Sequence, residues 1–237
     1  MLKANFITAQ EAAEKIQDGS TLCTIGMTLV SASESILKAI EKRFETVGHP
    51  ADITLVHSCG QSDRKDGIQH LAHEGLVKRI IGSHWGLQPR WMEMIANSQV
   101  EAYCLPQGQI AQLYRSMACG LPGKMSKVGL GTFIDPRVEG GKMNDRTKPL
   151  PDIVDILEYS GEEYMFYKEI PLDTVLIRGT VCDEMGNLTT TEEAMKLEVL
   201  PAVLAAKDMV DALLHSKTGG TVRNDQSKGC NGSGSIY

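Results

Sequence analysis

Thr21-Leu22-Cys23-Thr24-Ile25-Gly26-Met27-Thr28, followed by Ser31, Glu34 and the apolar positions Ile36, Leu37, Ile40 and Phe44, sets the fold class of this chain. Residues 21–25 are a short apolar run of strand length closed by a glycine. Ile36, Leu37, Ile40 and Phe44 recur at the spacing of one helix face, and Ser31 with Glu34 three residues later predicts a capped start. The pattern recurs along the chain. Residues 53–56, 76–81, 100–105 and 127–130 are predicted strands, with helices over 91–96 and 110–117. Further on, 163–167 and 175–178 are predicted strands, and 191–200 and 202–214 predicted helices. Upstream, Thr8 and Glu11 make a capping box ahead of Ala12, Ala13 and Ile16, and Gly19 closes that helix. Strands alternating with helices predict an α/β fold, a mostly parallel sheet with helices on both faces.

Composition narrows the function. The chain has 237 residues, enough for a sizeable core, and a net charge of -6, which disfavours nucleic acid and anionic membranes as partners. No apolar run is long enough to span a bilayer, and Met1-Leu2-Lys3-Ala4-Asn5 does not open like a signal peptide. Cys23, Cys59, Cys104, Cys119, Cys182 and Cys230 show no CxxC spacing, so reduced thiols, a cytoplasmic location and no metal site are expected. His70 and His73 lie three apart without a third ligand in sequence, a pattern more often found at the surface or in a cap than on a metal. His84-Trp85 could stack on an adenine, but an indole packing its loop onto the core is the commoner role. Asp183 to Asn187 reads as an acidic hairpin turn.

Ligands of such sheets sit at the carboxyl ends of the strands, where three loops are candidates. Gly26, Met27 and Thr28 follow the first apolar strand. Pro106, Gln107 and Gly108 follow the strand ending near Cys104; a Gln amide donates to a carbonyl or oxyanion without changing charge, and Gly108 exposes an N–H at a helix start. Each also has a plainer role, as a turn into a helix. The third loop is Lys127-Val128-Gly129-Leu130-Gly131-Thr132-Phe133-Ile134-Asp135-Pro136-Arg137. Gly129 and Gly131 permit close backbone approach, and Asp135-Pro136 predicts an extended exit. Neither GxGxxG nor GxxxxGK[ST] occurs in these loops, so NAD and ATP are not indicated.

The third loop resembles the glycine-rich loop of family I coenzyme A transferases, of the short-chain acyl type that uses acetate or propionate. Other segments are similar to that family in the same order: residues 7–13, 73–78, 82–85, 101–103, 106–108 and 177–180, then Asp183, Gly186 and Asn187. The resemblance covers only the N-terminal, α-type half, placed here at 1–220. It implies transfer of coenzyme A between short-chain carboxylic acids by ping-pong chemistry through a glutamyl-CoA intermediate. It also implies that the nucleophilic glutamate lies in a second half or β-type partner chain, so no catalytic nucleophile is expected here. Coenzyme A is then substrate, with no resident cofactor, and a homo- or hetero-oligomer is expected. Gly26, Met27, Thr28, Gln107 and Gly108 would line a substrate and oxyanion pocket and, with the glycine-rich loop of Gly129, Gly131, Thr132 and Phe133, shape the acid and pantetheine side of the site. Gly26-Met27-Thr28-Leu29 departs from the family's version, which is richer in glycine and ends in an aromatic. The functional alternatives are a folded, non-catalytic fragment and an acyl-CoA hydrolase, in which water replaces the acceptor acid. Residues 221–237 are polar where the family has an apolar strand, predicting a disordered tail. A reading-frame change near residue 221 and a diverged tail on a natural subunit are the two accounts of it.

Overall fold

The computed structural model describes residues 4–206, 212–216 and 221–224, the last two segments as backbone. In chain order the elements are β1 (Asn5–Ile7), α1 (Ala9–Lys15), β2 (Thr21–Thr24), α2 (Glu34–Val47), β3 (Ile53–His57), a 3-10 turn (Gly67–Leu71) and β4 (Val77–Gly82). Next come α3 (Pro89–Ala96), β5 (Glu101–Cys104), α4 (Gln107–Ala118), β6 (Gly123–Ser126), β7 (Val154–Tyr159) and β8 (Glu162–Lys168). The last are β9 (Thr174–Gly179), β10 (Val181–Cys182), β11 (Leu188–Thr189), α5 (Val199–Ala205), β12 (Ala212–Ser216) and β13 (Thr221–Asn224). None of the helices among the described residues is long and apolar enough to cross a membrane.

The main sheet has the order β1-β13-β12-β9-β2-β3-β4-β5. From β12 to β5 every pairing is parallel. Successive residues of a strand point to opposite faces, and the apolar residues divide accordingly. Leu22, Leu55, Ile80, Ala102 and Leu176 pack against α1, α2, α3 and the 3-10 turn. Cys23, Val56, Ile81, Tyr103, Val175 and Ile177 pack against α4, α5 and a second sheet. That second sheet, β6-β8-β7, is antiparallel and turns Val154, Met165 and Tyr167 inward. The fold is therefore α/β, with helices on both faces of a largely parallel sheet.

Thr8 caps α1 as its spacing predicts: Glu11 N–H donates to Thr8 Oγ1 at 3.2 Å and Thr8 N–H to Glu11 Oε2 at 2.7 Å. The helix ends at Lys15, however, before Gly19. Ser33, not Ser31, precedes α2; Ser31 sits at φ +59 and its hydroxyl donates instead to Met195 O at 3.0 Å. Residues 127–130 form turns, because Gly129 at φ +102 cannot continue a strand, and β6 lies just upstream. Nor is residues 191–200 a helix. Tertiary tethers hold 190–198 as an irregular strap, Leu197 takes φ +46, and α5 starts only at Val199. The helix expected over 202–214 stops at Ala205, and Ala212–Ser216 is a parallel strand beside β9. The acidic hairpin is as predicted, with β10 and β11 antiparallel and Asp183 Oδ1 accepting from Met185 and Asn187 N–H at 2.9 Å.

The tail departs from expectation at its start. Thr221–Asn224 is a strand between β12 and β1, pairing Asn5 with Arg223 and Leu214 with Val222. The rest of the expected tail, 225–237, lies outside the described residues. At the opposite edge, β5 is covered by residues 141–143: Cys104 N–H donates to Gly141 O at 2.7 Å and Met143 N–H to Ala102 O at 2.9 Å.

Candidate functional site

The carboxyl ends of β9, β2, β3, β4 and β5 share one edge of the main sheet, and the three loops are tied to it from different sides. After β2, Met27 N–H donates to Val30 O at 3.0 Å and Val30 N–H to Met27 O at 2.9 Å, closing a tight turn with Thr28 and Leu29 at its tip. Thr28 takes φ +53, a left-handed conformation that β-branched residues avoid. A Cβ on Gly26 would stand 3.1 Å from Gln61 Oε1 and 3.2 Å from Ala32 Cα, so close approach accounts for this glycine.

The loop after β3 holds that turn. Thr28 N–H donates to Gly60 O at 2.9 Å, and Gln61 Nε2 donates to Thr24 O at 2.8 Å and Thr24 Oγ1 at 3.0 Å. The Gln88 amide, oriented to satisfy its neighbours, accepts from Gln61 N–H at 3.0 Å and donates to His84 and Trp85 carbonyls at 3.1 Å. Burial pushes His57 down to about 4, so the ring is neutral at pH 7. Its Nδ1–H donates to Cys59 O at 2.8 Å and its Nε2 accepts from Trp85 Nε1 at 3.1 Å. Trp85 is thus a buried packing residue, as the commoner role had it. The chain of contacts continues to β5: Ser83 Oγ donates to Ser58 O, and Cys104 Sγ donates to Ser83 O at 3.5 Å.

Gln107 and Gly108 are the first two residues of α4, both exposed, where helix N–H groups favour negative charge. The glycine loop reaches the same place, because Phe133 O accepts from Gly141 N–H at 2.9 Å and Gly141 is bonded to Cys104. Phe133 itself is exposed. A Cβ on Gly129 would lie 2.6 Å from the Tyr167 hydroxyl, which donates to Val128 O at 2.6 Å. Gly131 has open space around it, with φ +69.

Asp135-Pro136 does not make an extended exit; Val138, Glu139 and Gly140 N–H all donate to Asp135 O in a turn. The Asp135 carboxylate is buried and accepts from Gly131 N–H at 2.9 Å, Arg137 Nε at 2.9 Å and Arg137 Nη2 at 2.8 Å. The Arg137 guanidinium holds that carboxyl far below the usual carboxylate range. Asp135 and Arg137 therefore shape the loop, a role that sequence spacing did not signal.

Across the other end of the edge runs the 190–198 strap. Glu192 N–H donates to Thr180 Oγ1 at 3.0 Å, Arg178 Nε pairs with Glu193 Oε2 at 3.3 Å, and Ser58 Oγ donates to Glu198 Oε2 at 3.1 Å. Nearby carboxylates are otherwise engaged or remote: Glu101 is buried against Arg79 at 2.7 Å, and Glu74 is exposed. The candidate residues on the loops, Gly26, Met27, Thr28, Gln107, Gly108, Gly129, Gly131, Thr132 and Phe133, supply amide donors, small residues and apolar surface but no carboxylate.

His70 and His73 lie away from this edge, in an ion-pair network rather than at the open surface. His70 Nδ1 meets Glu41, while its Nε2 lies 2.8 Å from Glu34 Oε1 and 3.3 Å from Asp66 Oδ1. The ligand atoms of Glu34, Asp66 and His70, and those of Glu41, Glu45 and His73, are close enough to share an ion. Lys38 Nζ already sits 3.0 Å from Glu34 and 3.1 Å from Asp66, and Arg90 lies 3.4 Å from Glu41. With His70 protonated, the charges of His70, Lys38 and Arg90 offset those of Glu34, Glu41 and Asp66. The described cysteines, Cys23, Cys59, Cys104, Cys119 and Cys182, are free thiols.

The family profile described as Coenzyme A transferase matches residues 6–212. The caffeate CoA-transferase of Acetobacterium woodii is 42% identical over 206 residues, 86% of this chain and 39% of its own length. A crystal structure of the acyl-CoA transferase YdiF from Escherichia coli O157:H7, a thioester complex with CoA, superposes with a TM-score of 0.85 at 32% identity, covering 91% of this chain and 43% of that one. The acetate CoA-transferase subunit alpha of Escherichia coli K12 is 25% identical over 89% of this chain and 86% of its own length. The chain thus spans about two fifths of the length of its more similar relatives and most of the length of a separate α subunit.

Proposed function

This chain belongs to the coenzyme A transferase family, and from that premise we propose that it is the α-type half of an enzyme that moves coenzyme A between short-chain carboxylic acids such as acetate and propionate. The observation that carries the reading is the convergence of Gly26–Thr28, Gln107–Gly108 and the Phe133 loop on one sheet edge, with amide donors and no open nucleophile among them. The nucleophile is a glutamate of a second half or β-type partner, and this chain supplies the surface that receives the acid and the thioester. Coenzyme A enters as substrate, with no resident metal or cofactor, in a cytoplasmic oligomer.

The chemistry balances without a redox partner. The glutamate carboxylate attacks the acyl-CoA carbonyl; the C–S bond breaks, leaving an acyl-glutamyl anhydride and a CoA thiolate. The thiolate then attacks the glutamyl carbonyl, releasing the first carboxylate and leaving a glutamyl-CoA thioester. The acceptor carboxylate reverses both steps. An anhydride keeps the thioester's activation, so transfer outpaces loss to water only if water is kept out. Each tetrahedral step places negative charge on an oxygen, which the Gln107 amide and the first N–H groups of α4 would stabilise.

The test is CoA transfer from acetyl-CoA to propionate by the purified chain, alone and mixed with a polypeptide bearing the family's second half. Transfer and a mass-detected glutamyl adduct are expected only in the mixture, with the adduct on the second polypeptide. An adduct on this chain, or turnover by it alone, overturns the division of labour. In the mixture, Gln107→Ala should lower kcat by about 10²-fold, the usual cost of one oxyanion donor. An unchanged kcat/KM in a folded variant removes Gln107 from the site.

A further inference from the structure

The turn at residues 26–30 is strained at its tip and held from outside. Thr28 is a β-branched residue at φ +53, a conformation that persists only where surrounding contacts impose it. The contacts come from one loop. Gly60 O accepts the Thr28 N–H, and the next residue, Gln61, donates both amide hydrogens into Thr24, to its carbonyl at 2.8 Å and its hydroxyl at 3.0 Å. Gln61 is 1% exposed, an expensive place for an amide unless its donors are used. Its Oε1 is buried without a partner and lies over Gly26, where a Cβ would come within 3.1 Å. Its own N–H is taken by Gln88, which also grips the His84 and Trp85 carbonyls.

We propose that Gln61 is a positioning residue for the acid-binding turn. Its amide fixes the end of β2 against the loop after β3 and so sets where Met27 and Thr28 stand. This rests on the reading above, in which Gly26–Thr28 faces the carboxylic acid. Gln61 touches no substrate. It acts through Gly26, by occupying the space behind it, and through Thr28, by fixing the carbonyl that receives its N–H. A rigid support of this kind turns a strained turn into a preorganised one. It also links the turn to the loop after β4, because Gln88 holds the Gln61 N–H and the His84 and Trp85 carbonyls together.

Amide hydrogen exchange on the 237-residue chain reads the support directly, through the Thr28 N–H, and needs no activity. Gln61→Met keeps the side-chain length and removes both donors. Thr24→Val removes only the hydroxyl acceptor and guards against failure of the first variant to fold. The expected result is Thr28 exchange about tenfold faster in Gln61→Met and a few-fold faster in Thr24→Val, with Ile80 and Ile81 of β4 as protected as in the parent. Parent-like Thr28 protection in Thr24→Val together with either parent-like or uniformly lost protection in Gln61→Met overturns the proposal. In the reconstituted mixture, Thr24→Val should raise KM for propionate several-fold with little change in kcat; a fall in kcat alone contradicts a positioning role. If the parent mixture transfers no CoA, the functional reading fails, and Thr28 exchange still decides whether Gln61 holds the turn.

Discussion

Two glycines one residue apart in the loop at 127–137 have different reasons to be glycine, and substitution separates them. Gly129 has φ +102 and would place a Cβ 2.6 Å from the Tyr167 hydroxyl, whereas Gly131 has φ +69 and nothing within 4 Å. Gly131→Ala should cost about 1 kcal/mol, the backbone price of a left-handed alanine. Gly129→Ala carries the backbone cost and also displaces the Tyr167–Val128 hydrogen bond, so roughly 2–4 kcal/mol is expected. Urea denaturation of both variants checks the order, and equal midpoints would show that the loop yields at Tyr167. The need for glycine at these positions was legible in the sequence, as were the three loops. What was not legible is what holds them. Asp135 with Arg137, and Gln61 with Thr24, act through pairings that only the folded chain creates, and a buried Gln looks like any other Gln in a sequence. His57 is equally silent: only the folded chain shows that burial pushes it down to about 4 and that its Nε2 accepts from Trp85 Nε1.

At the level of elements, α2 is joined to the 3-10 turn through His70 and to α3 through Arg90. Hydrogen bonding to Glu34, assisted by Glu41, raises His70 from its ordinary 6.5 to about 9. The groups facing it are Glu34, Lys38 and Glu41 from α2, Asp66 before the 3-10 turn and Arg90 from α3, with His73 on the far side of Glu41. A raised folded-state value means that the contribution is complete below pH 6.5 and is lost as pH climbs through 9. Discounted for solvent screening, that loss is about 1–2 kcal/mol. The melting temperature should therefore fall between pH 6.5 and 9.5 in the parent and much less in His70→Gln; parallel profiles would assign the fall to other groups. The Thr8 cap gives a simpler test, since Thr8→Ala should cost about 1 kcal/mol in denaturant unfolding. Most elements could be placed from sequence because each apolar run matched one period. The failures share a cause. Residues 191–198 have helical spacing, but Ser31, Ser58, Thr180 and Arg178 capture them as a strap, and tertiary contacts outweigh local propensity.

For the molecule as a whole, the small sheet leaves an apolar outer face. Met125 pairs with Phe166, and Leu157 with Tyr164, on the side opposite the buried Met165 and Tyr167; Tyr159 extends the same face at 64% exposure. Thr221–Asn224 offers no open edge where association could start, because it pairs on both sides. Purified chain should self-associate through the outer face of β6-β8-β7 at high concentration. Leu157→Lys with Tyr159→Lys should then shift sedimentation towards monomer, and an unaltered concentration series would clear that face. The same pairing of β13 has a consequence in time. Asn5 finds its partner Arg223 at the far end of the chain. At ordinary synthesis rates Arg223 is made roughly ten to forty seconds after Asn5. Through that interval the first strand waits beside a growing α/β core without a neighbour, and the sheet closes only once Thr221–Asn224 has been made.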